Sequence, residues 1–192
     1  MKRTTLLTLF LALAIAQLYG CAAVVVAGAA TAATVAHDRR TAGRFMDDQT
    51  LELQAESRIR DDQSIRDKVR INVTSINGIV LLTGEAETKE ARNKVLTHVR
   101  KVEAIRRIHD YIRISPPADS DSVSDDVWIT TKIKTKQTTS KGVDPSAVKV
   151  VTSNRVVYLM GLVGQQEAKK ATEIARTRKG VNKVVKLFEY TD

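Results

Sequence analysis

The side chains best suited to chemistry are few and widely spaced. Cys21 is the only thiol in 192 residues, so no internal disulfide and no cysteine-cluster metal site can form. His37, His98 and His109 lie far apart, no His-x-x-x-His pair occurs, and no glycine-rich loop has phosphate-binding spacing. Nucleophile and base are nowhere paired. The chain therefore reads as a binding protein, with no catalytic residue, cofactor or metal expected. His98 falls beside Val95 and Val99 at helical spacing and His109 falls in a strand, and both read as structural histidines.

A different chemistry is written in DDVWITTKIKTK, residues 125–136. Ile129 and Ile133, four apart, form a core-facing pair, while Trp128, Thr131, Lys132 and Thr135 fall on a neighbouring stripe. The only tryptophan thus lies beside the apolar stripe. Tryptophan favours a bilayer interface because its ring is apolar and its N–H stays hydrated. Lys132, Lys134 and Lys136 can lay their stems along the acyl boundary and set their ammonium groups against phosphates. With Val127 flanking the ring, the candidate lipid-binding set is Val127, Trp128, Thr131, Lys132, Lys134, Thr135 and Lys136. At this stage Trp128 completing a core or an inter-domain contact is the competing assignment.

Charge points to the same region. The chain carries 31 Lys/Arg against 22 Asp/Glu, a net of +9. Residues 45–115 hold 13 basic against 12 acidic residues, whereas residues 124–192 hold 13 against 7, a net of +6. An excess of this kind suits nucleic acid or an anionic membrane, and the compartment decides between them.

The first residues bear on the compartment. Lys2 and Arg3 precede the apolar run TLLTLFLALAIAQLYGC, which has the form of a secretory signal. Leu18-Tyr19-Gly20-Cys21 resembles the bacterial lipobox, whose cysteine is acylated and becomes the first mature residue; Tyr19 departs from the small residue preferred there. Cys21 is accordingly the expected lipidation site. The alternative is an uncleaved anchor, since Thr4 to Ala36 contains no Asp, Glu, Lys or Arg. Ala22, rather than Asp, follows the cysteine, which in enteric-type sorting does not call for inner-membrane retention, and the lipobox resemblance then implies the periplasmic face of the outer membrane. Each acyl chain contributes about 0.8 kcal/mol per buried CH₂, and a protein so anchored has no nucleic acid as partner. The role of the alanine-rich segment 22–36 is not evident from its composition.

These residues need a scaffold, and the scaffold is duplicated. Asn77, Val80, Leu82, Gly84, Glu90 and Ala91 recur 77 residues later as Asn154, Val157, Leu159, Gly161, Glu167 and Ala168. SPPADSDSVS, residues 115–124, reads as the linker. The parsing is a signal peptide at 1–20, an acylated segment at 21–44, a first domain at 45–114, a linker at 115–124 and a second domain at 125–192. Helices are expected at 48–60 and 125–137, with acidic starts that complement the helix dipole. Strands follow at 70–74 and 148–152, then hairpin turns at Asn77-Gly78 and Asn154-Arg155. Further strands are expected at 79–83 and 156–160, helices at 88–102 and 165–178, and last strands at 108–114 and 184–190. Ala91, Val95, Val99 and Val102, like Ala168, Ala171 and Ala175, have core-face spacing. Gly84 and Gly161 are assigned to strand-end geometry. The order αββαβ makes each unit α+β, two helices on one face of a small three-stranded mixed sheet.

The motif set of acidic helix start, VxV, turn, VxLxG, EA and a final Ile/Val step resembles the BON domain in both copies. The whole chain, from signal to last strand, is similar to dual-BON outer-membrane lipoproteins, with SDDVWITTKIKTK and VYLMGLV the nearest stretches. The resemblance implies a periplasmic module that binds anionic phospholipid, chiefly phosphatidylglycerol, through its second domain, supports envelope integrity and is recruited to division sites. It also puts the lipid surface on the helix of Trp128. The competing function is a protein–protein adaptor for outer-membrane assembly or envelope-stress machinery.

Overall fold

The computed structural model describes residues 42–116 and 120–192. Cys21, the signal-like run before it and segment 22–36 lie outside the described residues.

In the first unit α1 (Ala42–Asp61) leads through a 3-10 turn (Arg66–Lys68) into β1 (Val69–Ile76), β2 (Ile79–Ala86), α2 (Lys89–Val99) and β3 (Arg107–Ile114). The second unit repeats this order: α3 (Ser120–Thr138), β4 (Lys149–Ser153), β5 (Val156–Val163), α4 (Gln165–Arg176) and β6 (Lys183–Tyr190). The sheets run β1-β2-β3 and β4-β5-β6; in each the first pair is antiparallel and the second parallel. This is the α+β class that the repeat predicts.

Several boundaries differ from the sequence reading. α1 starts at Ala42 rather than residue 48, and α3 at Ser120 rather than 125, inside the segment read as linker. Serine and aspartate favour loops and first helical turns for the same reason, their short oxygens bonding nearby backbone N–H groups. α2 is shorter than expected. Thr88 is its N-cap, accepting the Ala91 N–H at 3.1 Å, and beyond Val99 the chain turns, with Ala104 at φ 65°.

The predicted apolar faces are buried: Ala91, Val95, Val99 and Val102; Ile129 and Ile133; Ala168, Ala171 and Ala175. Gly84 and Gly161 sit within strands, not at their ends. At φ +112° and +148°, a Cβ on either would lie 1.9 Å from the carbonyl oxygen of Arg70 or Ala147. Only a residue without a side chain permits that approach.

Alternate residues of the central strands face different cores. Val80 and Leu82 join Leu51, Ala55 and Val95 under the helices of the first unit, and Val157 and Leu159 join Ile129 and Ile133 in the second. Ile79 and Leu81 point the other way, into one cluster with Tyr158 and Met160. The two sheets therefore pack on each other with the helices outside, in four layers. Full burial of side chains of this size contributes about 1.5–3 kcal/mol each. The rings of Tyr111 and Tyr158 meet at 4.8 Å, and burial, aided by Tyr111, pushes the Tyr158 phenol up to about 12.

Polar contacts frame that interface with approximate two-fold logic. Asn77 Nδ2 donates to Glu189 at 2.7 Å, and Asn154 Nδ2 donates to Glu85. Glu85 pairs with Arg113 across β2–β3, and Glu189 with Leu162 across β5–β6. By the repeat these are the same rung, so each hairpin asparagine reaches the corresponding place on the other sheet.

Candidate functional site

The position of α3 is set by its buried and hairpin-facing residues. Asp126 accepts the backbone N–H groups of Asn154 and Arg155 at 2.7 and 2.8 Å, tying the helix to a turn whose two central residues have positive φ. Arg155 is further paired with Asp125. Ile129 and Ile133 are buried, and Thr130 donates to the Thr152 hydroxyl at 2.7 Å. Acidic residues at the helix start thus serve as hairpin caps, a role that a dipole argument alone does not identify.

With the core arc fixed, the candidate residues separate into two adjoining faces. Trp128, Lys132, Thr135 and Lys136 are all exposed beside the arc that Ile129 and Ile133 bury; Trp128 retains 51% of its accessible surface. Lys132 Nζ lies 5.2 Å from the centre of the indole ring, within cation–π range. Thr131 and Thr135 donate their hydroxyls to the carbonyls of Val127 and Thr131, both at 2.9 Å. Tryptophan and lysines here form a surface on which an apolar ring and ammonium groups are presented together.

Val127, Thr131 and Lys134 belong to the second face. Val127 is 61% exposed, but it does not stand beyond Trp128; with Thr131 and Lys134 it lines a cleft of about 720 Å³ between the two domains. The opposite wall includes Glu52 and Glu56 of α1. Glu52 Oε1 accepts the Ser75 N–H at 2.7 Å and lies 3.9 Å from Lys149 Nζ. Burial raises the Glu52 carboxyl against the lowering effect of the Ser75 bond.

Two of the three histidines, His98 and His109, are among the described residues. His98 Nε2 is 2.8 Å from Asp62 Oδ2, while Asp62 Oδ1 accepts the Ser64 hydroxyl at 2.6 Å and the Ser64 N–H at 2.9 Å. The Ser64 hydroxyl first, and His98 next, hold the Asp62 carboxyl well below the usual range. His109 is half-buried in β3, where burial lowers its basicity, Arg107 adding to the effect. Among the described residues no group of three His, Cys, Asp or Glu side chains is placed to hold a metal. Among them, too, no helix is long and apolar enough to cross a membrane.

Two features escaped the sequence reading. The cleft joins elements from both copies and has no local signature. Gln137 occupies the place that Ile59 fills in the first unit; its side chain is buried and neither amide atom has a hydrogen-bond partner among the described residues.

The chain is thus a two-domain α+β protein, a tandem pair of αββαβ units with an exposed aromatic and basic helix face on the second. The BON domain family model matches residues 47–116 and 125–192, and the chain belongs to that family. It is 37% identical over 175 residues to outer membrane lipoprotein DolP of Haemophilus influenzae, covering 91% of each chain. It is also 37% identical over 153 residues to a 21 kDa hemolysin of Actinobacillus pleuropneumoniae, covering 80% of this chain and 79% of that one. Osmotically-inducible protein Y of Escherichia coli is 27% identical over 145 residues, 74% of this chain and 72% of its own. These relationships support an outer-membrane lipoprotein of the BON family.

Proposed function

We propose that this protein is a non-enzymatic lipoprotein, acylated at Cys21 and held on the periplasmic face of the outer membrane, whose second domain binds anionic phospholipid through α3. Phosphatidylglycerol is the proposed headgroup class, and envelope support with recruitment to division sites the proposed role. The observation that carries the reading is the exposed Trp128 with Lys132 over its ring, on the domain that holds the charge excess of +6. An indole at the interface and lysines at the phosphates act together, each lysine near an anionic surface contributing about 1 kcal/mol. Within the lipid-binding set, Trp128, Lys132, Thr135 and Lys136 make the primary contact, and Val127, Thr131 and Lys134 flank it.

Charge reversal tests the electrostatic half. Lys132→Glu/Lys136→Glu is expected to lower co-sedimentation with phosphatidylglycerol vesicles at least tenfold with the fold intact. At 1 M salt, where the screening length falls to about 3 Å, wild-type binding should weaken as well. Unchanged vesicle binding by the folded double variant refutes the site. Mass spectrometry of the mature N terminus tests the anchor, and an unmodified Cys21 contradicts it.

A further inference from the structure

The cleft between the domains is walled by the unpaired edges of both sheets. β1 and β4 are edge strands, and among the described residues no strand pairs with their outer sides. The hairpin turn at Asn77-Gly78 is closed by the Ile76–Ile79 pair. Hydrogen-bonded pairs alternate along an antiparallel ladder, so Thr74 and Asn72 bond inward to β2, and Ile71, Val73 and Ser75 turn their N–H and C=O groups outward. The Ser75 N–H confirms the parity, since it is taken by Glu52 rather than by a strand. The same counting from the Ser153–Val156 pair leaves Val150 and Thr152 facing outward on β4. Ile71, Val73, Val150 and Thr152 all line the cleft.

Open strand edges are templates for another strand, and proteins ordinarily cover or blunt them. Here two edges face one space of about 720 Å³. Its walls differ in charge balance: Glu52, Glu56 and Glu85 outnumber Arg70 on the first-domain side, and Lys134 and Lys149 outnumber Asp126 on the second. Beyond the Glu52–Lys149 contact, Glu56 on the α1 side and Lys134 on the α3 side engage no hydrogen bond or ion pair among the described residues. Outward-facing amides and charged walls suit a polypeptide backbone and disfavour an acyl chain, which would leave them unsatisfied.

We propose that the inter-domain cleft docks an extended segment of a partner protein, which adds as a strand to an open edge and presents a basic side chain to Glu56 and an acidic one to Lys134. Backbone pairing supplies affinity, and alternate side chains supply selectivity. The site uses the Val127 side of α3 and does not depend on lipid binding at Trp128.

The test pans a random dodecapeptide phage library on the purified full chain, with the Glu56→Lys/Lys134→Glu variant as counter-target. Enriched peptides should show alternating patterning with one basic and one acidic residue. The synthesised winner should shift the amide signals of Ile71, Val73, Val150 and Thr152, bind the counter-target at least tenfold more weakly, and lose at least tenfold on N-methylation of alternate amides. Four results overturn the proposal: no enrichment, equal binding to the variant, indifference to N-methylation, or peptide shifts confined to other surfaces. It is also overturned if phosphatidylglycerol vesicles, or self-association of the chain, perturb those same amides and displace the peptide.

Discussion

The two halves of this molecule share one scaffold and differ on one helix face. Asp48 of α1 and Asp126 of α3 both accept the hairpin N–H groups of their own unit, and Leu51 and Ala55 take the core places of Ile129 and Ile133. At the same offset of 78, Trp128, Lys132 and Lys136 stand where the first unit has Thr50, Gln54 and Arg58. A duplicated fold keeps what positions the helix and is free to change what the helix presents. Under the proposed function, that contrast puts the contact surface on the second domain and leaves a supporting role to the first.

The largest expected effect tests the shared part. Gly84→Ala and Gly161→Ala each force a Cβ against a backbone carbonyl and should each destabilise their own domain by about 3 kcal/mol or more. Denaturant unfolding followed by amide signals of each domain measures this. Tolerance at one site only would break the equivalence of the two sheets.

Hairpin anchoring is expected to be unequal. Asp48 is 3% exposed and accepts the Ser75 hydroxyl in addition to the Asn77 and Gly78 N–H groups, whereas Asp126 is half-buried. Asp48→Ala should cost domain 1 about 3 kcal/mol and Asp126→Ala should cost domain 2 about 1 kcal/mol, because the more deeply buried donors lose their partner without water to replace it. The same unfolding assay ranks them, and equal losses would remove the distinction.

Much of this comparison is legible in the sequence. The 77-residue repeat, the Asn-Gly turn and the Ile129–Ile133 spacing identify the elements, since each reflects local backbone preference or one-sided burial. The apolar runs at 79–82 and 156–160 lack alternation, a pattern that signals burial on both faces. What buries the second face is not written locally: Leu81 meets Tyr158 only because two sheets distant in sequence dock. The cleft is unreadable for the same reason, since Glu56 and Lys134 become neighbours of one space through that docking. Trp128 was legible as lying beside the apolar stripe, but the separation of Val127, Thr131 and Lys134 from it depends on where domain 1 sits.

Moving the surface from one half to the other sharpens the contrast further. Thr50→Trp/Gln54→Lys in domain 1 should raise phosphatidylglycerol vesicle binding by a few fold, since it adds the aromatic and one cation without the surrounding charge excess. No gain, with the variant folded, would show that more than these side chains is required. The smallest effect concerns acid. Asp62 and His98 have Ser140 and Ala175 as their repeat counterparts, so the pair is confined to domain 1. The Asp62 carboxyl is held low when folded, so the unfolded chain takes up the proton first. The stabilisation is therefore complete above the ordinary aspartate value near pH 3.9 and is lost progressively as pH falls from there through the lowered folded value. Domain 1 should lose thermal stability below about pH 4 more steeply than domain 2, and Asp62→Asn should flatten that difference; parallel curves in the wild type would contradict it.

The central claim is that the second domain meets anionic lipid through Trp128. Its most direct test is co-sedimentation of the full chain with phosphatidylglycerol and phosphatidylcholine vesicles, comparing wild type, Trp128→Glu and the matched control Thr50→Glu. The expected result is preference for phosphatidylglycerol, a loss of at least tenfold for Trp128→Glu and no change for Thr50→Glu. Wild-type binding by a folded Trp128→Glu variant, or an equal loss from Thr50→Glu, would contradict it.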